Sequence, residues 1–307
     1  MKTIDILAIG EPLMEFAQVT RGDEHLYLPG FGGDVSNTAV AAARQGAKCA
    51  IFTALGGDAF GTSFLKLWDE EGIDRSTVIT RSDDRTGVYF ISYGEEGHVF
   101  SYAREGSAAS LVHNGELPLD QIASAKVLHA SGISQAISTD CADAVFTAIR
   151  HAKKSGTIVS YDTNLRLRLW PLDRARAIIN AAAALCDLAL PGLDDAQQLT
   201  GLERPEDICD YYLKSGCSVV ALTMGKSGTM VADSTRREVI PSKKVDAVDA
   251  TGAGDTFDGA FLAEWLVHRD PFKATAYANA AAALSTLGKG AVAPMPRREA
   301  VEAFMAK

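Results

Sequence analysis

The sequence predicts an α/β fold, with a mainly parallel sheet covered by helices on both faces. Three observations carry that expectation. Short apolar runs rich in Val, Ile and Leu alternate along the chain with longer helical patterns, the habit of parallel strands joined by helical crossovers. A chain of 307 residues is long enough to bury a large core as one α/β domain with an insertion. No internal repeat or low-complexity segment points to another architecture.

The elements follow in order. Ile4-Asp5-Ile6-Leu7-Ala8-Ile9-Gly10 reads as a strand over 4–10 ending in a turn, rather than as a signal peptide. Further strands are expected over 48–54, 126–130, 157–161, 187–190 and 218–223. Helices are expected over 35–45, 59–70, 139–154, 173–185, 205–215, 255–267 and 271–286. Two stretches, 13–29 and 86–103, break the alternation. In the second, strand residues flank the polar Gly94-Glu95-Glu96-Gly97, so it reads as a hairpin.

Composition narrows the partners. A formal net charge of −9 argues against nucleic acid or an anionic membrane surface, both of which need clustered Lys and Arg. The five cysteines, Cys49, Cys141, Cys186, Cys209 and Cys217, show neither a CxxC pair nor zinc-ligand spacing, and read as buried thiols of a reducing compartment. No apolar run approaches membrane-spanning length, and a cytoplasmic location is expected.

Chemistry concentrates in Asp249-Ala250-Thr251-Gly252-Ala253-Gly254-Asp255-Thr256-Phe257-Asp258-Gly259-Ala260. Phe257, Ala260, Phe261, Ala263 and Trp265 have the spacing of a buried helix that starts at this turn. The unpaired N–H groups of the turn and the positive end of the helix would hold a phosphate. Gly252 and Gly254 let the backbone approach it without a Cβ, and Asp255 in the first turn can accept a proton from an attacking hydroxyl. Together these suit phosphoryl transfer. The turn alone leaves open a plainer reading, in which Asp255 caps the helix.

A P-loop is excluded, and a dinucleotide fingerprint is incomplete. No GxxxxGK[ST] is present, since Gly225-Lys226-Ser227 lacks the earlier glycine, and Gly252-x-Gly254 is followed by Phe257 where a dinucleotide fingerprint needs its third glycine.

A second motif, Gly32-Gly33-Asp34-Val35-Ser36-Asn37-Thr38-Ala39, precedes Gly46 and Gly56-Gly57-Asp58-Ala59-Phe60-Gly61. With the Asp249–Ala260 segment, these resemble the two signature regions of the ribokinase-like (PfkB) carbohydrate kinases, in the expected order and over nearly the whole chain. The resemblance implies one kinase domain over 1–307, with a three-layer α/β/α core and a small β-sheet lid from about 13–29 and 86–103. An apolar lid face further suggests a homodimer formed through the lid. The implied cofactors are ATP and Mg²⁺, with a monovalent cation left open.

The same resemblance assigns residues. Asp255 becomes the base, and the N–H groups of Gly252, Ala253 and Gly254 become the stabilisers of the moving phosphoryl. Nucleotide contacts fall to Asn164, Arg166, Thr223, Gly225, Lys226, Gly228, Gly252, Gly254 and Asn279, although Thr223–Gly228 also reads as an ordinary hairpin turn. Where the family carries N-x-x-E, this chain has Gly192-Leu193-Asp194-Asp195. Asp194 and Asp195 are therefore candidates for a water-mediated Mg²⁺ contact, or caps of a helix over 194–199.

For the acceptor, Gly33-Asp34-x-x-Asn37-Thr38 and Phe100-Ser101-Tyr102-Ala103-Arg104 resemble the 2-keto-3-deoxygluconate kinase branch. Tyr161-Asp162-Thr163-Asn164-Leu165-Arg166-Leu167-Arg168-Leu169-Trp170 resembles a segment that fructokinases share. The implied acceptor site is Gly33, Asp34, Asn37, Tyr89, Tyr102, Arg104 and Arg166. Planar guanidinium groups suit a sugar carboxylate, which they grip through paired hydrogen bonds. A fructokinase, a 2-keto-3-deoxygalactonate kinase and a non-catalytic sugar-acid sensor stay open.

Overall fold

The computed structural model describes residues 2–21, 24–94 and 97–306. In chain order its strands are β1 (Ile4–Ile9), β2 (Leu13–Arg21), β3 (Glu24–Gly32), β4 (Cys49–Phe52), β5 (Ala54–Gly56), β6 (Ile79–Arg81), β7 (Gly87–Gly94), β8 (Gly97–Ala103), β9 (Ala125–Ser131), β10 (Ile158–Asp162), β11 (Leu188–Ala189), β12 (Val219–Thr223), β13 (Thr229–Asp233) and β14 (Arg237–Ile240). The α-helices are α1 (Asp34–Arg44), α2 (Ala59–Glu70), α3 (Leu119–Ser124), α4 (Gly132–Ala136), α5 (Thr139–Lys154), α6 (Leu172–Ala183), α7 (Leu193–Thr200), α8 (Pro205–Ser215), α9 (Ala253–His268), α10 (Pro271–Ser285) and α11 (Arg298–Met305).

Among the described residues, eight strands form one sheet in the order β14-β13-β12-β11-β10-β9-β1-β4. Neighbours from β4 to β12 run parallel, and β13 and β14 continue the sheet antiparallel. Successive side chains of a strand point to opposite faces, and β1 divides accordingly. Leu7 and Ile9 join a core with Val145 and Ile149 of α5 and Ile179 of α6. Ile6 and Ala8 join the opposite core, with Val35 of α1, Phe261 of α9 and Ala278 of α10. The result is the expected helix–sheet–helix layering.

Helix α9 is buried without interruption from Thr256 to Trp265, as a helix apolar on nearly all sides must be. It crosses α1 at Gly259, where a Cβ would lie 2.5 Å from Thr38 O and 2.6 Å from Ala41 Cβ. The missing side chain permits that approach and sets the start of α1 beside the start of α9.

The two stretches outside the alternation form a separate sheet, β3-β2-β7-β8. Each is an antiparallel hairpin, with Leu13 opposite Gly32 and Val88 opposite Ala103. A parallel pairing of β2 with β7 joins the two hairpins. The tips Gly22, Asp23, Glu95 and Glu96 lie outside the described residues. Leu13, Tyr89 and Ile91 make a small buried cluster. Phe16 stacks on Phe90 at 5.3 Å and meets Phe60 of α2 edge-on at 5.6 Å. Tyr27, Leu28 and Val99 are exposed apolar side chains of the same sheet.

Asp58 fastens this sheet to the core. Its Oδ1 caps α2 by accepting from Gly61 N at 2.7 Å, and also accepts from Thr86 Oγ1 at 2.9 Å. Its Oδ2 accepts from Thr86 N at 2.7 Å, immediately before β7. The Gly56-Gly57-Asp58 motif is thus a structural joint.

Several expectations need correction. The strand expected over 48–54 ends at Phe52, and Ala54–Gly56 pairs instead with β6 in a small sheet. Helix α9 starts at Ala253 because Gly252, at φ 73°, supplies its left-handed N-cap. The edge strand β14 and the terminal helix α11 went unseen: β14 is mostly exposed and carries little apolar pattern, and α11 is short. All five cysteines are buried and unpaired. No described helix is long and apolar enough to cross a membrane.

Candidate active site

A cavity of about 1040 Å³ opens between the small sheet and the carboxyl ends of the parallel strands, where open α/β sheets place their ligands. Its lining includes Asp255, Asp34 and Asn37 from the first turns of α9 and α1.

Asp255 does not cap its helix, since α9 has no side-chain cap. Its Oδ2 instead accepts from Asn37 Nδ2 at 2.7 Å. Burial first, and the charge of Asp34 second, push its pKa up to about 7, while the Asn37 bond and Arg166 pull it down. A carboxyl poised near neutrality is suited to general-base work.

Of the three donors expected from the turn before it, Ala253 alone is engaged. Ala253 N–H bonds Ala250 O at 3.2 Å, and Ala253 does not line the cavity. Among the described residues, the N–H groups of Gly252, Gly254 and Asp255 have no protein acceptor. Nothing lies within 4 Å of a Cβ built on Gly254, so that side of the turn is open. Gly252 is required twice, by its positive φ and by Ala291, whose Cβ would sit 2.9 Å from an added one.

Asp34 and Asn37 line the cavity, and each keeps one oxygen, Asp34 Oδ1 and Asn37 Oδ1, without a protein donor. These acceptors suit hydroxyl groups. The other oxygen of Asp34 accepts from Ser131 Oγ and from Asn164 Nδ2. Gly33, at φ 91°, packs where a Cβ would lie 2.3 Å from Glu11 O.

From the lid come Tyr89, Tyr102 and Arg104. Tyr89 and Tyr102 stack at 5.8 Å. The Tyr89 hydroxyl donates to Glu15, so toward the cavity this residue offers its ring. Arg104 lies 5.8 Å from the Tyr102 ring and is paired with the buried Glu11.

The segment after β10 supplies Asn164, Arg166 and Arg168. Asn164 adopts a positive φ, 31°, which short polar side chains tolerate. Half-exposed Arg166 donates to Leu165 O at 2.8 Å and stands 3.8 Å from Asp195. Arg168 Nη1 reaches the lid, donating to Phe100 O at 2.5 Å.

The expected nucleotide residues divide. Thr223 lines the cavity, whereas Gly225, Lys226 and Gly228 do not. Gly225–Ser227 is a tight turn between antiparallel β12 and β13. Lys226 is exposed on that turn, and Gly228 is required by packing, since its Cβ would meet Ile240 O at 2.2 Å. Asn279 is also away from the cavity. Its amide is committed, accepting from Thr229 Oγ1 at 2.7 Å and donating to Ile240 O at 3.0 Å, so it fixes β13 and β14 against α10.

Of the two metal candidates, Asp195 lines the cavity and Asp194 does not. Asp195 Oδ2 accepts from Leu165 N at 2.9 Å. Among the described residues no group of three or more His, Cys, Asp or Glu side chains is placed to hold a metal. A dedicated protein cage is therefore absent among them, while the hard oxygen donors suit an ion carried largely by phosphates and water.

Sequence reasoning missed Glu11, Asp162, Asp258 and Arg168. Asp258 lies one helical turn beyond Asp255, and Asp162 ends β10; both line the cavity. Burial first and neighbouring carboxylates second hold both well above the usual carboxylate range. The available signals were the three-residue spacing from Asp255 and a lone carboxylate, Glu11, directly after an apolar strand.

Known proteins resemble the chain in sequence and in fold. The chain is 34% identical over 310 residues to 2-dehydro-3-deoxygluconokinase of Bacillus subtilis, covering 98% of this chain and 95% of that protein. It is 31% identical to probable fructokinase-4 of Arabidopsis thaliana, covering 98% and 96% respectively. A putative ribokinase II from E. coli, solved in complex with ATP and Mg²⁺, superposes with a TM-score of 0.92 at 25% identity over 99% of both chains. Residues 3–298 match the pfkB family carbohydrate kinase model. With a half-buried aspartate and an open anion nest at the head of α9, beneath a lid built from two distant hairpins, the chain is a member of the pfkB family of carbohydrate kinases.

Proposed function

We propose that this kinase transfers the γ-phosphoryl group of ATP to the 6-hydroxyl of 2-keto-3-deoxygluconate. The observation that carries the reading is the presence of two guanidinium groups, Arg104 and Arg166, in the same cavity as Asp255. They offer a carboxylate charge-assisted hydrogen bonds in the cavity that Asp255 also lines. The relationship to the Bacillus subtilis enzyme supports the same acceptor.

Asp255 takes the proton of the 6-hydroxyl as its oxygen forms a bond to the γ-phosphorus, and ADP departs with the electrons of the broken P–O bond. The free N–H groups of Gly252 and Gly254 face the charge on the moving phosphoryl. Asp34 Oδ1 and Asn37 Oδ1 receive acceptor hydroxyls. The cavity carries Asp34, Asp162, Asp195, Asp255 and Asp258, and such a lining favours a nucleotide whose charge is already compensated. Mg²⁺ bound to the phosphates would supply that compensation, with Asp195 contacting it through water. Closure of the lid excludes the water that would otherwise take the phosphoryl group.

The product would be suited to an aldolase of Entner–Doudoroff type. Two lids would pair in a homodimer through the face that carries the exposed Tyr27 and Val99; a monomeric mass by light scattering at micromolar concentration would overturn that part.

The test is ADP release with Mg·ATP across 2-keto-3-deoxygluconate, its galacto epimer, fructose and ribose. Preference for the gluco keto acid supports the proposal. Preference for the galacto epimer or for fructose replaces the acceptor while keeping Asp255 as base. Acceptor binding without ADP formation identifies a sensor.

A further inference from the structure

Glu11 lies between β1 and β2, is 1% exposed, and has two committed carboxylate oxygens. Oε2 accepts from Arg104 Nε at 2.8 Å and from Arg104 Nη2, while Oε1 accepts from Ser107 Oγ at 2.5 Å. A Cβ on Gly87, at the start of β7, would come within 2.8 Å of Glu11 Oε1. Chain passages between core and lid therefore converge on this one carboxylate.

The pairing has a geometric and an electrostatic consequence. Arginine carries its N–H donors in a rigid fork. Glu11 takes the Nε side, so Nη1 and the second hydrogen of Nη2 remain for a ligand. It also places a negative charge against the guanidinium, reducing the attraction that a second carboxylate would feel. Glu11 thus aims Arg104 and weakens its field.

We propose that Glu11 is a positioning residue that orients Arg104 and sets how strongly the cavity prefers an acceptor bearing a carboxylate over a neutral sugar. The inference rests on Arg104 as the carboxylate ligand of the proposed acceptor. In Glu11→Gln the amide oxygen keeps the Arg104 bonds, and the amide NH₂ donates to Ser107 Oγ with the hydroxyl turned round. The orientation survives while the compensating charge is lost.

The experiment compares kcat/KM for 2-keto-3-deoxygluconate with that for fructose in the wild type, E11Q, R104A, R104K and the E11Q/R104A pair. E11Q is expected to raise the acid-to-neutral ratio by roughly 10-fold, mainly through a lower KM for the acid. R104K keeps the charge without the fork and is expected to lower the ratio. In the R104A background E11Q is expected to leave the ratio unchanged. A general loss of packing would move both acceptors together. An unchanged or lower ratio in E11Q, or an unchanged ratio in R104K, overturns this inference alone when the wild type favours the acid. A wild type indifferent to the carboxylate overturns both this inference and the proposed acceptor. Should E11Q fail to fold, the R104K comparison still decides the matter.

Discussion

Asn37 Nδ2 and Asp255 Oδ2 stand 2.7 Å apart, a bond from the first turn of α1 to the first turn of α9. Two opposed influences meet in it. The amide favours the ionised carboxylate, whereas burial and the charge of Asp34 favour the protonated one.

The base is active only when deprotonated, so kcat/KM is expected to rise with pH through about 7. Asn37→Ala removes a group that lowers the pKa and should move the acid limb to higher pH. Asp34→Asn removes a group that raises it and should move the limb down. Asp255→Asn should fold normally and lose roughly 10²–10⁴-fold in turnover. A pH–rate series on purified variants checks all three, and near-wild-type turnover in D255N would remove Asp255 from its role.

Stability should respond in the opposite sense. The fold raises the Asp255 pKa from its ordinary 3.8 to about 7, so over that interval the folded chain holds a proton that the unfolded chain has released. This contribution to stability is present below the unfolded pKa and is lost as pH rises through the folded one. Asp34, Asp162, Asp195 and Asp258 shift in the same direction. D255N is expected to exceed the wild type in denaturant stability by on the order of 2 kcal/mol at pH 8, with the difference vanishing near pH 4. Equal curves at pH 8 would contradict the burial account.

Arg168 ties the segment after β10 to the lid edge through Phe100 O. Arg168→Ala should release β8 and the Phe100 ring that lines the cavity. The expected result is a several-fold higher acceptor KM together with faster ATP hydrolysis in the absence of acceptor. Unchanged values of both would show the contact to be incidental.

Asp58 contributes without touching the cavity. Asp58→Ala removes a helix cap and both bonds to Thr86, and should lower stability by about 2–3 kcal/mol. Urea unfolding measures this; a loss under about 0.5 kcal/mol, the scale of an ordinary surface substitution, would deny the joint its importance.

Much of the fold was legible because its signals are local. The apolar spacing from Phe257 to Trp265 identifies α9, and the polar break between strand residues identifies the β7–β8 hairpin. The acid in the first turn after the Gly252 and Gly254 turn was legible for the same reason. Asn279 and Gly228 both serve β14, and an amide or a glycine demanded by packing carries the same local signal as one demanded by a ligand. Glu11 and Arg168 escaped because their roles arise from contacts with residues far along the chain, Arg104 and Phe100. No local periodicity encodes such pairs.

The parallel union of β2 with β7 also bears on the order of assembly. Each hairpin closes locally, but registering Leu13 against Gly87 requires the intervening α1, β4 and α2 to be brought into place. Pairings so distant along the chain form slowly because loop closure precedes their reward. The β1–β9 pairing of the core spans still more chain, from Ile4 to Ala125, so by loop closure the β2–β7 seam should gain amide protection no later than β1–β9 during refolding.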